Sequence, residues 1–380
     1  MLGIPALFIP HERKRRGVFP APSIPEVLPV PQHPVQAPPT PRVEGATLAP
    51  ATEVPAERLR AFLEATFPDR RTAETWRWQY RVGFRPGRAP LAVLLDGEVI
   101  ALASSMPFDL VMDGASYRGD WYVDFATLPE YRGQGLGRWA TQAWMEGTDF
   151  GLACGCTPGS RAVFHKCGWR EREDSYLHYF FLRPLDHPRL VERVPPFARR
   201  ALNRAVRPAA RLAYLPLGVR LGADALRPVD AAFRTLFLAR PEEERGATTR
   251  RDAAYYAWRL EASPDRDRYR VLEVAGICGL VKLVERDGVR SLDLLWLSDP
   301  LRRLAAARLV ASLARWGLER GYSFVRFYTS DPALSRTLTL QGSFVRRPVF
   351  AWYAADPVLA ERFARVRWDW DMLGSDMERI

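Results

Sequence analysis

Over Ala56–Thr66 apolar residues keep helical spacing, with Leu59, Phe62 and Leu63 on one side, so an amphipathic helix is expected there. Residues 91–95 and 98–104 read as strands. They are short apolar runs around Asp96-Gly97, a dipeptide that accepts the left-handed turn of a two-residue hairpin. A second strand pair flanks Asp113-Gly114. Helical spacing returns from about residue 135 to 147, where Leu136, Trp139, Ala140, Ala143 and Trp144 lie near one face, and residues 150–156 follow as a strand.

The second half of the chain repeats this order loosely. Tyr255-Tyr256-Ala257-Trp258-Arg259 echoes Trp76-Arg77-Trp78-Gln79-Tyr80. Strand patterns at 271–275 and 278–284, an Asp287-Gly288 turn and a strand at 292–297 come next. Ser330-Asp331-Pro332-Ala333-Leu334-Ser335-Arg336, ending in Gly342-Ser343-Phe344, then mirrors Thr157-Pro158-Gly159-Ser160-Arg161, ending in Gly168-Trp169. An ordered internal repeat predicts two similar units in one chain.

Composition fits that division. The chain has 380 residues, 47% of them hydrophobic, which is enough for two ordinary cores. The first 55 residues hold 13 of the 32 prolines, too many for a helix or a central strand, so residues 1–50 are expected to be a disordered or polyproline-like tail. Residues 189–211 carry seven arginines against the single acid Glu192, and are broken by Pro195-Pro196 and Pro208. They mark a basic linker at 186–215 between domains at 51–185 and 216–380. A basic amphipathic stretch can also bind membranes or nucleic acid.

The formal net charge is +11, but the basic residues are 52 Arg and only 3 Lys, a skew that points to coding bias rather than to a nucleic-acid surface. No zinc-finger, RNP or recognition-helix signature is present, so no nucleic-acid partner is expected. No apolar run approaches 18 residues, and the apolar residues 1–10 precede the basic run at 11–16, the reverse of a signal peptide. A cytoplasmic protein without a transmembrane segment is expected. Cys154, Cys156, Cys167 and Cys278 form no Cys-x-x-Cys and no zinc spacing with the five histidines, so they read as small thiols in a reducing compartment, with no metal site. Cys154 and Cys156, two apart on a strand, are expected to share a face.

The chemistry concentrates at residues 124–137: an apolar strand, a turn at Pro129, a glycine-rich loop, then a helix start. Unpartnered N–H groups of a helix's first turn, with the positive end of its dipole, form an anion site. Gly133, Gly135 and Gly137 leave room for a pyrophosphate to approach the backbone. No Gly-Lys-Ser/Thr follows, and the glycine spacing is not that of a dinucleotide fold.

Arg132-x-x-Gly135-x-Gly137, preceded by Pro129-Glu130-Tyr131, resembles the acyl-CoA loop of the GNAT N-acetyltransferase superfamily. The stretch Ser160 to Trp169 resembles that family's second signature, a short helix followed by a Gly-aromatic pair. The resemblance covers about residues 50–183. It implies an α/β fold of two GNAT-like domains, each a mixed, mostly antiparallel twisted sheet flanked by helices. In the second half the corresponding loop, Ser298-Asp299-Pro300-Leu301-Arg302-Arg303, has no glycine, so that domain is expected to be degenerate.

The resemblance further implies acyl transfer from acetyl-CoA, the co-substrate, to an amine. Pantetheine would lie between the strand through Asp124 to Thr127 and the strand at 150–156. Backbone groups of Ala126 and Thr127 would pair with its amides. Arg132, Gly133, Gln134, Gly135, Leu136 and Gly137 would cradle the pyrophosphate, and Ser160 would either add a hydroxyl contact or cap its helix. Asp124, an acid in an otherwise apolar strand, is the leading general base, ahead of Asp120 and Glu74. The family often has a tyrosine four residues before the glycine of the Gly-aromatic pair to protonate the thiolate. Here that position is Phe164, which leaves Tyr122, Tyr176 or water for the role.

The acceptor reads as a small-molecule amine or amino sugar, with protein or peptide acetylation as an alternative. A non-catalytic CoA-binding or scaffold protein is the competing class, on the strength of Phe164 and the degenerate second half. Trp76, Trp78 and Tyr80 either line an acceptor groove or join the core. The acidic, aromatic Arg367-Trp368-Asp369-Trp370-Asp371 with Asp376 either binds a cationic acceptor or is a solvated tail docking on the domain surface. Oligomeric state has no signature in the sequence.

Overall fold

Two hairpins seed the first sheet of the computed structural model. Asp96 and Gly97 (φ 50° and 79°), then Asp113 and Gly114 (φ 50° and 74°), take the left-handed pairs that two-residue hairpins need. Between these turns β3 (Glu98–Met112) runs 15 residues, well past the expected residue 104. Along it Met106, Phe108, Leu110 and Met112 alternate into one core. The structure describes residues 43–67, 73–80, 90–186, 195, 197–199, 201–205, 208, 217–239, 246–286 and 288–374. The Pro-rich segment before residue 43, most of the 189–211 connector, Asp287 and Asp376 lie outside the described residues.

In chain order, β1 (Thr47–Pro50), α1 (Ala56–Thr66), α2 (Ala73–Tyr80) and β2 (Leu91–Leu95) precede β3. After it come β4 (Ala115–Thr127), α3 (Leu136–Met145), β5 (Phe150–Cys154), α4 (Pro158–Lys166), β6 (Arg170–Arg172) and β7 (Tyr176–Phe181). The second half begins with β8 (Arg227–Pro228), α5 (Ala231–Leu238), β9 (Thr248–Thr249) and α6 (Ala253–Tyr256), which runs into a π-helical turn at Ala257–Glu261. It continues through β10 (Tyr269–Val274), β11 (Ile277–Arg286), β12 (Val289–Leu297), α7 (Arg303–Glu319), β13 (Phe324–Thr329), α8 (Pro332–Leu340), β14 (Phe344–Arg346), β15 (Phe350–Ala354) and α9 (Pro357–Arg365).

The strands form two mixed, mostly antiparallel sheets. One has the order β1-β2-β3-β4-β5-β15-β6, with β9 on β3; the other is β14-β7-β13-β12-β11-β10-β8. Each half gives a late strand to the other half's sheet. From the first half, β7 pairs with β13 and β14; from the second, β15 sits between β5 and β6.

The halves also meet through a reciprocal tryptophan pair. Trp78 of α2 and Trp258 of the π-helical turn stack at 5.2 Å, and each indole N–H donates to the other's backbone carbonyl, at 2.8 and 3.3 Å. Both lie within the segments that echo each other in the sequence, one position out of register. Trp78 is thus core, as one of its two readings had it, while the Tyr80 side chain lies outside the description.

Residues 368–373 do dock on the rest of the chain, but as buried structure rather than as a solvated tail. Trp368 and Trp370 are both 2% exposed, and Asp371 pairs at 2.7 Å with the buried Arg251. Leu373 N–H donates to Leu295 at 3.0 Å, and the Ser330 hydroxyl to Trp368 at 2.7 Å, so residues 368–373 strap the ends of β12 and β13. With Arg251 on Asp371, that carboxylate is not held ready for a cationic acceptor.

Candidate functional site

A bulge in β4 shapes the site. Ser104 pairs with Val123 and Leu102 with Ala126, so Asp124 and Phe125 are accommodated opposite one residue of β3. Asp124 takes φ 50° there, a left-handed backbone that Asp tolerates better than most residues. The Ser104 hydroxyl donates at 2.6 Å to the Val123 carbonyl and pins the strand just before the bulge. On the other edge, β4 pairs in parallel with β5 only at Gly119, Asp120 and Trp121. Beyond Trp121 both strands run on, but β5 continues its pairing with β15 instead. A cleft between β4 and β5 results, with its base at Trp121 and Leu152.

The glycine loop stands at the far end of this cleft. A short 3-10 turn at Pro129–Tyr131 leads into Gly133 and Gly135, at φ 80° and 87°. A Cβ at either would meet nothing within 4 Å, so both keep an open backbone, and no side chain caps α3. Open backbone before a helix start leaves room for an anion. Gly137 has a different reason. A Cβ there would lie 2.8 Å from the Phe125 ring, so its smallness admits Phe125 rather than a ligand.

The other expected cofactor contacts are distributed as follows. Ala126 and Thr127 pair with Leu102 and Ala101 of β3. Arg132 turns back, its Nε donating to the Thr127 carbonyl at 3.2 Å, and Gln134 donates to the Glu130 carbonyl at 3.1 Å. The side chain of Leu136 is core, leaving only its N–H at the loop. Ser160 is not the cap of α4. Thr157 is, accepting from the Ser160 N–H at 3.2 Å, while the Ser160 hydroxyl donates to the Thr157 carbonyl at 3.0 Å.

Asp124 is half-buried at the bulge, Asp120 is buried at the base of the cleft, and Glu74 is exposed on α2. Phe164 is buried, its ring stacked on Trp169 at 4.6 Å. Tyr122 lies within the same aromatic cluster, its hydroxyl 2.9 Å from that of Thr141, and burial holds its pKa far above the ordinary phenol value. Such a hydroxyl is a poor proton donor to a thiolate. Tyr176 belongs to β7 and pairs with Thr329 in the other sheet. His165 and Arg161 both engage Glu171, at 2.9 and 2.5 Å. The hydrogen bond from Arg161 is the main cause holding the Glu171 carboxyl below its usual range.

The cysteine expectation is corrected. Gly155, at φ 70°, ends β5 and turns the chain, so Cys154 packs towards the core between the sheets and Cys156 towards α3 and α4.

The second half repeats the cleft but not the loop. Val281 pairs with Leu294 and Leu280 with Trp296, which leaves a bulge at Leu295; parallel pairing of β12 with β13 ends at Leu294 and Phe327. The following N–H groups, of Leu301 and Arg302, donate to the chain's own Asp299 carboxylate at 3.1 and 3.3 Å. This carboxylate satisfies two N–H groups of the turn before the helix, although no side chain caps α7 itself. Arg303 is held at 2.7 Å by Asp331. Sequence reasoning found the missing glycine but not this internal carboxylate.

The acetyltransferase (GNAT) family model matches residues 56–169, from α1 through the Gly168-Trp169 pair. A comparison with curated proteins found no match. Among solved structures, Saccharomyces cerevisiae N-myristoyltransferase with bound myristoyl-CoA aligns at a TM-score of 0.53 and 11% identity, over 84% of this chain and 85% of that one. A GCN5-related N-acetyltransferase from Anabaena variabilis ATCC 29413 aligns at 0.51 and 11%, over 82% and 73%. At such identity the likeness is one of fold, and it extends over both sheets. The open glycine loop at the end of the cleft between β4 and β5 thus lies inside the segment that matches the acetyltransferase (GNAT) family model, in a chain whose fold is like that of these acyltransferases.

Proposed function

We propose that this protein transfers an acetyl group from acetyl-CoA to the amine of a small molecule or amino sugar, at one site in its first half. The observation that carries the reading is the uncapped start of α3 behind Gly133 and Gly135, at the open end of the cleft. There the loop would hold the pyrophosphate, and the backbone of β4 around Ala126 and Thr127 would align the pantetheine. The chain's contribution is mainly position and electrostatics. Asp124 would take the proton of the attacking ammonium, directly or through water. No tyrosine stands where the family often has one, so the departing thiolate would be protonated by solvent. The chain would consist of two GNAT-like domains, at 51–185 and 216–380, the second a degenerate support.

The test is calorimetric titration of the full chain with acetyl-CoA, alongside Gly135→Glu, followed by turnover on an amine panel. One site per chain, lost in the variant, with turnover on an amine is the expected result. Binding without turnover on any amine would favour a CoA-binding scaffold, the reading that Phe164 supports. No binding at all would remove both.

A further inference from the structure

Six aromatic side chains close the base of the cleft. On the α3 side, the Tyr122 ring lies 4.7 Å from Trp144 and 5.8 Å from Trp169. Gly151 on β5 permits this, since a Cβ there would be 2.8 Å from Trp144 and 3.1 Å from Trp169. On the side between the sheets, the Trp121 ring lies 5.9 Å from Phe350 and 5.5 Å from Trp370. All six are buried.

The cleft's length makes these rings relevant to the donor. From the base to its end near the glycine loop β4 runs over residues 122–127, at most about 17 Å at ~3.3 Å per residue. That is comparable to an extended pantetheine arm. With the pyrophosphate at the loop, the thioester arrives at the base with its acyl group directed into the rings. The yeast structure holds myristoyl-CoA on a similar fold, so the fold itself does not fix chain length.

We propose that Trp121, Phe350 and Trp370 on one face of the sheet, with Tyr122, Trp144 and Trp169 on the other, restrict the donor to acyl groups of two to about four carbons by filling the space a longer chain would need. The inference rests on the acyl-CoA reading above. Phe350 and Trp370 come from the second half, which therefore shapes donor choice although Asp299 occupies two N–H groups of its own loop.

Titration of the full chain with CoA, acetyl-, butanoyl-, octanoyl- and myristoyl-CoA tests this. The expected result is similar affinity for the two shorter donors and at least a tenfold loss from octanoyl onwards. Trp121→Leu and Trp370→Leu, each retaining a cooperative melting transition, are expected to bring octanoyl-CoA within about threefold of acetyl-CoA. Wild-type protein that holds myristoyl-CoA as tightly as acetyl-CoA would overturn the gate, as would folded variants with an unchanged profile. CoA binding with no dependence on chain length removes the gate alone. Failure to bind CoA and every acyl-CoA removes the cofactor reading, and the gate with it.

Discussion

Asp124 combines a carboxylate with a left-handed backbone, and the two must be separated to learn what it does. Alanine would remove the acid but also strain the bulge, whereas asparagine accepts the same backbone. With Asp124→Asn, kcat is expected to fall about 100-fold or more while acetyl-CoA affinity is unchanged, as for loss of a general base. An unchanged kcat would place proton removal elsewhere. The acid was legible in the sequence because it interrupts an apolar run. Its φ was not, since nothing local to residues 122–126 demands a bulge.

A second residue carries a pH expectation. His178 on β7 is buried between the hydroxyls of Ser343 (2.8 Å) and Ser335 (3.0 Å), and burial lowers its pKa to about 4 from 6.5. As pH falls, the unfolded chain gains this proton near 6.5 and the folded chain only near 4. Its contribution is therefore complete above 6.5 and lost across that window, up to about 3 kcal/mol. Melting profiles of wild type and His178→Gln should converge as pH is lowered from 6.5 to 4. Parallel profiles would show that this ring does not titrate on unfolding.

Among elements, those set by local pattern were the most legible. The helix at Ala56–Thr66 and both Asp-Gly hairpins stand where periodicity and turn chemistry place them. The burial of the strap at 368–373 was missed although Trp368-Asp369-Trp370-Asp371 alternates with period two. Its acids suggested solvent, but Asp371 meets Arg251, a residue 120 positions away whose proximity no local pattern reveals. The glycine loop and its counterpart differ by a self-supplied carboxylate, and this bears on stoichiometry. One acetyl-CoA per chain is expected in calorimetry, and Asp299→Ala should not by itself add a second, because Leu301 and Arg302 still crowd the backbone. Two sites in the wild-type chain would mean that the Asp299 carboxylate yields to the ligand.

At the scale of the molecule, strand exchange makes the halves interdependent. Without β15, the first sheet loses the strand between β5 and β6; without β7, the second loses the strand between β13 and β14. Residues 1–215 expressed alone are expected to show no cooperative melting, and co-expression with 216–380 should restore it in a complex of the two pieces. Cooperative melting of either piece alone would show that the exchanged strand is dispensable. The exchange was not legible in the sequence. A buried strand has the same apolar pattern whichever sheet receives it, and only the placement of the sheets decides.

The same exchange has a consequence in time. A ribosome delivers the chain from its N-terminus at roughly 5–20 residues per second. Phe350 pairs with Cys154, so the strand that completes the first sheet is synthesised 196 residues after the edge it must join. For roughly 10–40 s at that pace, the nascent first half holds its glycine loop and most of its cleft with the edge of β5 still open. The cleft beside β5 is finished only once β15, through Ala354, has been made.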